Sequence, residues 1–193
     1  SWFRDVLGDS YIQMAKEKGM SAEELLSEEA EKVPAGSDGL MTVLDWLAPV
    51  DARYKKGIMI GFDGRHTRGH IYRSILEAVA MTIKGHTEDM VNEVGVTLDK
   101  IIITGGGSNS DLFMQIFADV FNLPAVRNVV NGAAGLGSAI CAAVATDVYG
   151  SFEEAVEGMV KIQDTFVPNP ENVELYKKMI PIYKDITVHT DEV

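Results

Sequence analysis

The chain has 193 residues, of which 46% are hydrophobic; this length supports one sizeable core but is too short to assume two complete domains. Its 17 basic and 29 acidic side chains give a formal net charge of −12, which argues against a nucleic-acid partner and for a soluble cytoplasmic protein. The single cysteine excludes an internal disulfide, and no membrane partner is expected because no apolar run reaches membrane-spanning length.

The N-terminal region is predicted to be helical. Residues 1–19 and 21–33 carry helical patterns, and Ser21 with Glu24 three residues later matches the signature of a capping box. The chain begins without an initiator methionine and with a helical pattern already under way. We therefore expect it to be a fragment of a longer polypeptide.

Two short strands and a long helix are predicted next. A loop over residues 36–39 leads to apolar strands over 40–47 and 57–62. Thr67 is predicted to cap a helix that continues to about Val94. The apolar residues of this helix recur at helical spacing and predict one buried face, which consists of Ile71, Ile75, Val79, Ile83, Met90 and Val94.

Two histidines lie at the start of this helix. His66 and His70 are one helical turn apart, which is a metal-ligand spacing, but no third ligand or zinc motif accompanies them. We therefore expect His66 to belong to a helix-capping neighbourhood and His70 to be solvated or packed. No metal site is predicted.

A glycine-rich turn follows an isoleucine-rich strand. The strand covers residues 100–104 and runs through Gly105, Gly106 and Gly107 into a helix start rich in Ser, Asn and Asp. Glycines let a ligand approach the backbone, and the first N–H groups of a helix lack intrahelical acceptors. The pattern predicts a nucleotide site with phosphate-binding character, although a plain strand-to-helix turn would have the same sequence.

The region beyond the turn continues the alternation of helix and strand. Leu112, Ile116 and Val120 line one face of the next helix, and a second strand is predicted over residues 124–128. Residues 131–139 open a helix so poor in bulky side chains that its backbone should lie against a ligand or, the favoured alternative, against the sheet. The order of elements predicts right-handed parallel units and an α/β class.

A dinucleotide-binding domain is one alternative for this region. The run from Gly105 through Gly107 to Ser110 is one glycine short of that fingerprint, and Arg127 stands where an NAD enzyme carries Asp or Glu. Arginine would instead favour a 2′-phosphate. Residues after 146 are predicted to be helices and loops, so they would not supply the further parallel strands that such a fold requires. This alternative is therefore disfavoured.

A second set of motifs resembles a known family. Residues 57–62, followed by seven residues and then by 70–77, resemble the C-terminal motif of the FGGY carbohydrate kinases, which include xylulokinase and glycerol kinase. Phe62 departs mildly from the aliphatic residue usual there. Further segments resemble the family in its own order, namely 2–5, 104–107, 115–119, 132–139, 149–155 and 176–183. The resemblance thus covers nearly the whole chain.

The resemblance implies an actin-like, ribonuclease H-like ATPase fold of two domains, with ATP bound between them. Residues 1–193 would form the nucleotide-binding C-terminal domain, without its first strands and without the N-terminal domain, which would be its partner. In the family the glycine-rich turn contacts the adenosine part of ATP. The implied binding residues are Gly105, Gly106, Gly107 and Ser110, with Gly106 and Ser110 nearest the base.

The implied activity is transfer of the γ-phosphoryl group of ATP, with Mg²⁺, to a hydroxyl of a small ketose or polyol, preferably a xylulose-like sugar. The family's catalytic aspartate and phosphate-binding turns lie upstream, so no catalytic residue is assigned here and the fragment alone should be inactive. Structural roles are expected for Asp63, Asp111 and Asp119, and a core position for Cys141. The oligomeric state stays open, with a homodimer allowed. The alternative function is a non-catalytic actin-like module for nucleotide sensing or assembly.

Overall fold

The computed structural model describes residues 2–48, 50 and 52–189; Ser1, the first residue of the predicted helix over 1–19, lies outside them. The described helices are α1 (Trp2–Leu7), α2 (Asp9–Glu17), α3 (Ala22–Glu31), α4 (Arg68–Val94), α5 (Asp111–Phe121), α6 (Ala133–Ala145), α7 (Phe152–Met159) and α8 (Pro170–His189). The described strands are β1 (Met41–Val43), β2 (Ile58–Ile60), β3 (Ile101–Ile103), β4 (Ala125–Asn128) and β5 (Ile162–Phe166). None of the described helices combines the length and apolar character needed to cross a bilayer.

The N-terminal helices form a small apolar cluster against α4. The predicted first helix is interrupted at Gly8, where φ is +79°. The capping box that starts α3 is confirmed: Glu24 N donates to Ser21 Oγ at 3.2 Å, and Ser21 N donates to the Glu24 carboxylate at 2.6 Å. Leu25 and Leu26 of α3 are buried in this cluster, so the cap fixes the start of a helix that packs on the body of the domain.

The strands form two separate sheets. Strands β1 and β2 pair antiparallel, and the predicted strand over 40–47 ends at Val43 because a 3₁₀ turn covers Asp45–Leu47. In the second sheet β4 lies between β3, which is parallel to it as predicted, and β5, which is antiparallel. The prediction of only helices and loops after residue 146 is therefore wrong. Strand β5 was not predicted because three of its five residues are polar and apolar residues do not alternate along it; it is held by pairing with β4.

The main core lies around α5, which packs on α4, on α8 and on the second sheet, while α4 and α8 also pack on β1. The predicted inner face of α5 is confirmed, since Leu112, Ile116 and Val120 are all buried. The predicted buried face of α4 is wrong: Ile71, Ile75 and Val79 are only half-buried, and Ile83, Met90 and Val94 are 43%, 59% and 71% exposed. Helix α4 packs on α3, α5 and β1 through its first turns, and its last turns extend beyond these partners.

A buried polar network joins the helices at the centre of the fold. The carboxylate of Glu77, which is 1% exposed, accepts hydrogen bonds from Arg73 Nε at 3.0 Å and from Tyr176 Oη at 2.8 Å. It also accepts from Gly36 N at 2.8 Å and Ser37 Oγ at 2.9 Å, so one α4 side chain connects the loop before β1 with α8. Burial, chiefly, raises the pKa of Tyr176, and the nearby Glu77 carboxylate raises it further.

Helix α6 contradicts two expectations. Its small residues were expected to lie against a ligand or, as the favoured alternative, against the sheet; the sheet alternative is wrong, since among the described residues nothing comes within 4 Å of a Cβ placed at Gly135 or Gly137. Cys141, expected in the core, is exposed. The described contacts of α6 are mainly with α7. Ile140 is its one buried side chain in the described part of the chain.

Candidate functional site

The glycine-rich sequence forms a 3₁₀ turn over Gly106–Asn109 between β3 and α5. Ser108 in this turn is fully buried, and its hydroxyl donates to the carbonyl of Gly105 at 2.7 Å. Gly105 N donates to the carbonyl of Asn131 at 2.8 Å, and Asn131 Nδ2 donates to Asn109 Oδ1 at 2.8 Å. The turn is therefore fastened to the loop that precedes α6.

The glycines of the turn differ in what surrounds them. A Cβ at Gly107 would lie 2.8 Å from Phe113 Cε1, so this glycine is required by packing. A Cβ at Gly106 would meet none of the described residues within 4 Å, and Gly106 does not have the left-handed backbone seen at Gly105, where φ is +84°. Neither backbone conformation nor packing within the described chain therefore requires glycine at 106.

Ser110 connects the turn to α5. Its hydroxyl accepts a hydrogen bond from Phe113 N at 3.3 Å, which is the expected N-cap interaction. The same oxygen lies 3.5 Å from the hydroxyl of Ser27 on α3. Ser110 thus stands at the point where α3 and the glycine turn approach each other.

A cleft of about 680 Å³ separates the turn from α3. Gly106, Gly107 and Ser110 form part of one wall, and Tyr72 and Leu76 of α4 contribute to the lining. This volume lies within the range of small-molecule sites, roughly 300–1,000 Å³. Three of the four predicted binding residues therefore border one cavity, and Gly105 lies directly before it in the chain.

The cleft is strongly acidic. Five carboxylates line it, those of Glu23, Glu24, Glu28, Glu31 and Asp111, and the described lining residues include no basic side chain. Like charges repel, so this cleft disfavours phosphate groups and favours an uncharged part of a ligand that carries hydroxyl or amino donors. This acidic wall was not predicted, although the helical spacing of Glu24, Glu28 and Glu31 does indicate a shared face.

Arg127 does not have the role that a dinucleotide-binding domain would give it. Its side chain is nearly buried and makes ion pairs with Asp164 on β5 and with Asp111. Its Nη1 also donates to the carbonyl of Ser108 at 2.9 Å. The guanidinium is therefore already occupied, so it is not free to bind a 2′-phosphate.

The remaining aspartates have the structural roles expected for them. Asp63 is paired with Arg65, whose guanidinium hydrogen bonds are the main reason that the Asp63 pKa is lowered to about 2. The buried carboxylate of Asp119 accepts from Asn169 N and from Asn172 Nδ2, both at 2.7 Å, and so fixes the start of α8 to α5. Asp111 faces Arg127 at 2.9 Å.

The two histidines take part in turn and cap hydrogen bonds. His66 Nδ1 accepts from Asp63 N at 2.8 Å, and His70 Nδ1 accepts from Thr67 N at 3.2 Å. His70 Nε2 lies 3.1 Å from Asp38 Oδ2. Within the described parts of the chain, no group of three or more His, Cys, Asp or Glu residues could hold a metal ion. The described residues therefore do not fit a Mg²⁺ site by themselves.

Comparison with known proteins connects this geometry to a family. Residues 4–146 match the family model described as the C-terminal domain of the FGGY family of carbohydrate kinases. An uncharacterized sugar kinase of Escherichia coli, YgcE, is 54% identical over 192 residues, which are 99% of this chain and 39% of that protein. The autoinducer-2 kinase of Klebsiella pneumoniae is 31% identical over 99% of this chain and 36% of its own length.

A solved structure gives the same result. The xylulose kinase of Rhodospirillum rubrum superposes with a TM-score of 0.78 and 27% identity, over 97% of this chain and 36% of that one. The chain therefore spans less than two fifths of the length of each of these proteins. Its α/β fold is that of the C-terminal half of an actin-like ATPase.

Proposed function

Because the chain belongs to the FGGY family of carbohydrate kinases, of which it carries the C-terminal domain, we propose that the protein transfers the γ-phosphoryl group of ATP to a hydroxyl of a ketose or polyol. Within that reaction, this chain supplies the adenosine-binding half of the ATP site. The observation that carries this assignment concerns Gly106, which borders a cleft of ligand size and has no described residue within 4 Å of its Cβ position.

The charge of the cleft supports the adenosine end of the nucleotide. The carboxylates on α3 oppose the glycine turn and can accept hydrogen bonds from ribose hydroxyls or from the adenine amino group. They would repel the triphosphate, which therefore extends out of the cleft toward the rest of the protein. Gly106 and Ser110 are the residues we place nearest the base, with Gly105 and Gly107 shaping the turn.

Unsatisfied surfaces support a partner domain in the same polypeptide. Strand β3 is the edge of its sheet, with Ile102 54% exposed, and the glycine-rich face of α6 is open in the described part of the chain. Further strands and an N-terminal domain would cover these surfaces and supply the general base, the phosphate-binding turns and the Mg²⁺ ligands. This chain alone is then inactive, and the intact enzyme works in the cytoplasm, where ATP is available.

The preferred acceptor is a xylulose-like sugar. The structural neighbour at 27% identity is a xylulose kinase, whereas the relative at 31% identity is an autoinducer-2 kinase. One name specifies xylulose and the other autoinducer-2, and we place the residues that choose between acceptors largely in the part outside this chain. The acceptor class is therefore a small ketose or polyol.

The test is a phosphorylation screen of the full-length protein. ADP release is measured with ATP, Mg²⁺ and each of xylulose, ribulose, fuculose, glycerol and related compounds. We expect sugar-dependent ADP release with a ketose or polyol and none with the 193-residue chain alone. Tight nucleotide binding without turnover on any acceptor would instead support a non-catalytic actin-like module. Turnover by the chain alone would mean that the base lies within it.

A further inference from the structure

We propose that Arg127 is a positioning residue for nucleotide binding. Its hydrogen bond to the glycine turn keeps the turn in its binding conformation, and its ion pair with Asp164 links the turn to β5. The proposal rests on the function proposed above, in which the turn contacts adenosine. Arg127 itself is not among the described residues that line the cleft, and it forms an ion pair with one of them, Asp111.

Arg127 contacts residues of three elements, namely the glycine turn, α5 and β5. Its Nη1 donates to the carbonyl of Ser108 at 2.9 Å and lies 2.9 Å from Asp111 Oδ1 at the start of α5. Its Nε donates to Asp164 Oδ1 at 2.8 Å, and its Nη2 donates to the other oxygen of the same carboxylate. The guanidinium also lies 5.2 Å from the ring centre of Phe166.

The register of the sheet explains why β5 is part of this arrangement. Arg127 stands in the central strand, directly opposite Ile103 on β3 and Asp164 on β5. The carboxylate of Asp164 therefore accepts two hydrogen bonds from the guanidinium, and this bidentate interaction fixes the orientation of the guanidinium. The fixed guanidinium then presents Nη1 to the Ser108 carbonyl, so β5 orients the residue that supports the turn.

The carbonyl of Ser108 is what makes the support necessary. Ser108 is fully buried, and a buried carbonyl without a donor is costly. Removing the guanidinium would leave this carbonyl unpaired and would force the turn to rearrange toward solvent or toward another donor. Since Ser108 is two residues from Gly106, that rearrangement displaces the backbone on which the adenosine rests.

Arg127 also affects the charge at the cleft. It is the paired cation of Asp111, one of the five carboxylates in the lining. Without it, the Asp111 carboxylate would add an uncompensated negative charge to the wall of the cleft. Geometry and charge therefore both predict weaker nucleotide binding when the guanidinium is lost.

The experiment measures ADP and ATP affinity by calorimetry, together with the KM values for ATP and sugar, in the full-length protein. Arg127→Gln should weaken nucleotide binding roughly ten- to a hundredfold, the range for loss of a hydrogen bond to a charged group. Arg127→Lys should restore only part of the affinity, because an ammonium group cannot bind Asp164 and Ser108 with the same planar fork. The KM for the sugar should stay within about twofold of the parent if the effect is confined to the turn.

The matched control is Asp119→Asn, at the opposite end of α5. It disturbs a buried carboxylate network of similar size, so it should lower the melting temperature while leaving the nucleotide affinity unchanged. If Arg127→Gln fails to fold, Asp164→Asn takes its place, with an expected loss of affinity of a few fold because the guanidinium keeps Ser108 but loses its orientation.

The outcomes separate the two proposals. A parent enzyme that binds no adenine nucleotide overturns the proposed function together with this inference. A parent that binds nucleotide, with a folded Arg127→Gln variant that binds it equally well, overturns the positioning role alone. An equal loss of affinity in Asp119→Asn and Arg127→Gln also overturns it, since general loosening of α5 would then explain both.

Discussion

Phe113 lies directly against Gly107, so that a methyl group at Gly107 would sit 2.8 Å from Cε1 and 3.1 Å from Cδ1 of the ring. The neighbouring Gly106 faces the open cleft and has no such contact among the described residues. Packing against Phe113 therefore requires a small residue at Gly107, whereas under the proposed function Gly106 is small because the ligand approaches it. Substitution can separate these reasons.

Gly106→Val should weaken ATP binding by the full-length enzyme about ten- to a hundredfold, which corresponds to roughly 1–3 kcal/mol of steric overlap with the ligand. The melting temperature without ligand should stay close to that of the parent, because neither the backbone angle nor any described neighbour opposes a side chain at this position. Calorimetric titration with ATP and a thermal melt of the apo protein measure the two quantities. A folded variant that binds ATP as tightly as the parent would show that our site assignment is wrong.

Gly107→Ala should show the reverse pattern. Its methyl group forces Phe113 to move, so the free energy of unfolding should fall by about 1–3 kcal/mol in a urea titration. Adding Phe113→Leu should recover part of this loss, because the smaller side chain makes room for the methyl group. If the double variant is as unstable as the sum of the two single changes, the contact between these residues is not the cause.

Glu77→Gln should be the most destabilising of these changes. The carboxylate is buried against Arg73 and accepts three further hydrogen bonds, so the neutral amide leaves a buried guanidinium without its counter-ion. The expected loss is about 3–5 kcal/mol of unfolding free energy. Lys177→Gln, which breaks an exposed ion pair with Glu174 on α8, is the control and should leave the urea midpoint unchanged. Similar midpoints for both variants would contradict this account.

Acid should remove the contribution of Asp63 to stability. The folded pKa of this carboxyl is about 2, below its ordinary value of 3.8, chiefly because of hydrogen bonds from Arg65. A depressed folded pKa means that the stabilisation is fully present above about pH 4 and is lost as the pH falls toward 2. The difference in unfolding free energy between the parent and Asp63→Asn should therefore shrink between pH 5 and about pH 2. A difference that is constant over this interval would contradict the pairing with Arg65.

Local sequence determined the features that depend on neighbouring residues. The capping box of Ser21 and Glu24, the Ser110 cap and the inner face of α5 each need only a few residues at helical spacing, and the structure contains all three. The family motifs were also visible in the sequence, because they are short runs around turns and helix starts. The sequence therefore predicted the α/β class and the family, both of which are confirmed.

Only the tertiary structure decided which surfaces meet. Helical periodicity predicted an apolar face along α4, but it could not show where the packing partners of α4 end. Met90 and Val94 lie beyond those partners and are exposed. The acidic face of α3 was readable, whereas its position opposite the glycine turn depends on how α3 packs on α4. Strand β5 is a short, partly exposed segment of mixed polarity that pairs with the edge of β4, and its Asp164 forms an ion pair with Arg127. Long-range pairing of this kind leaves no mark at short sequence separation, which is why the support beneath the glycine turn became visible only in three dimensions.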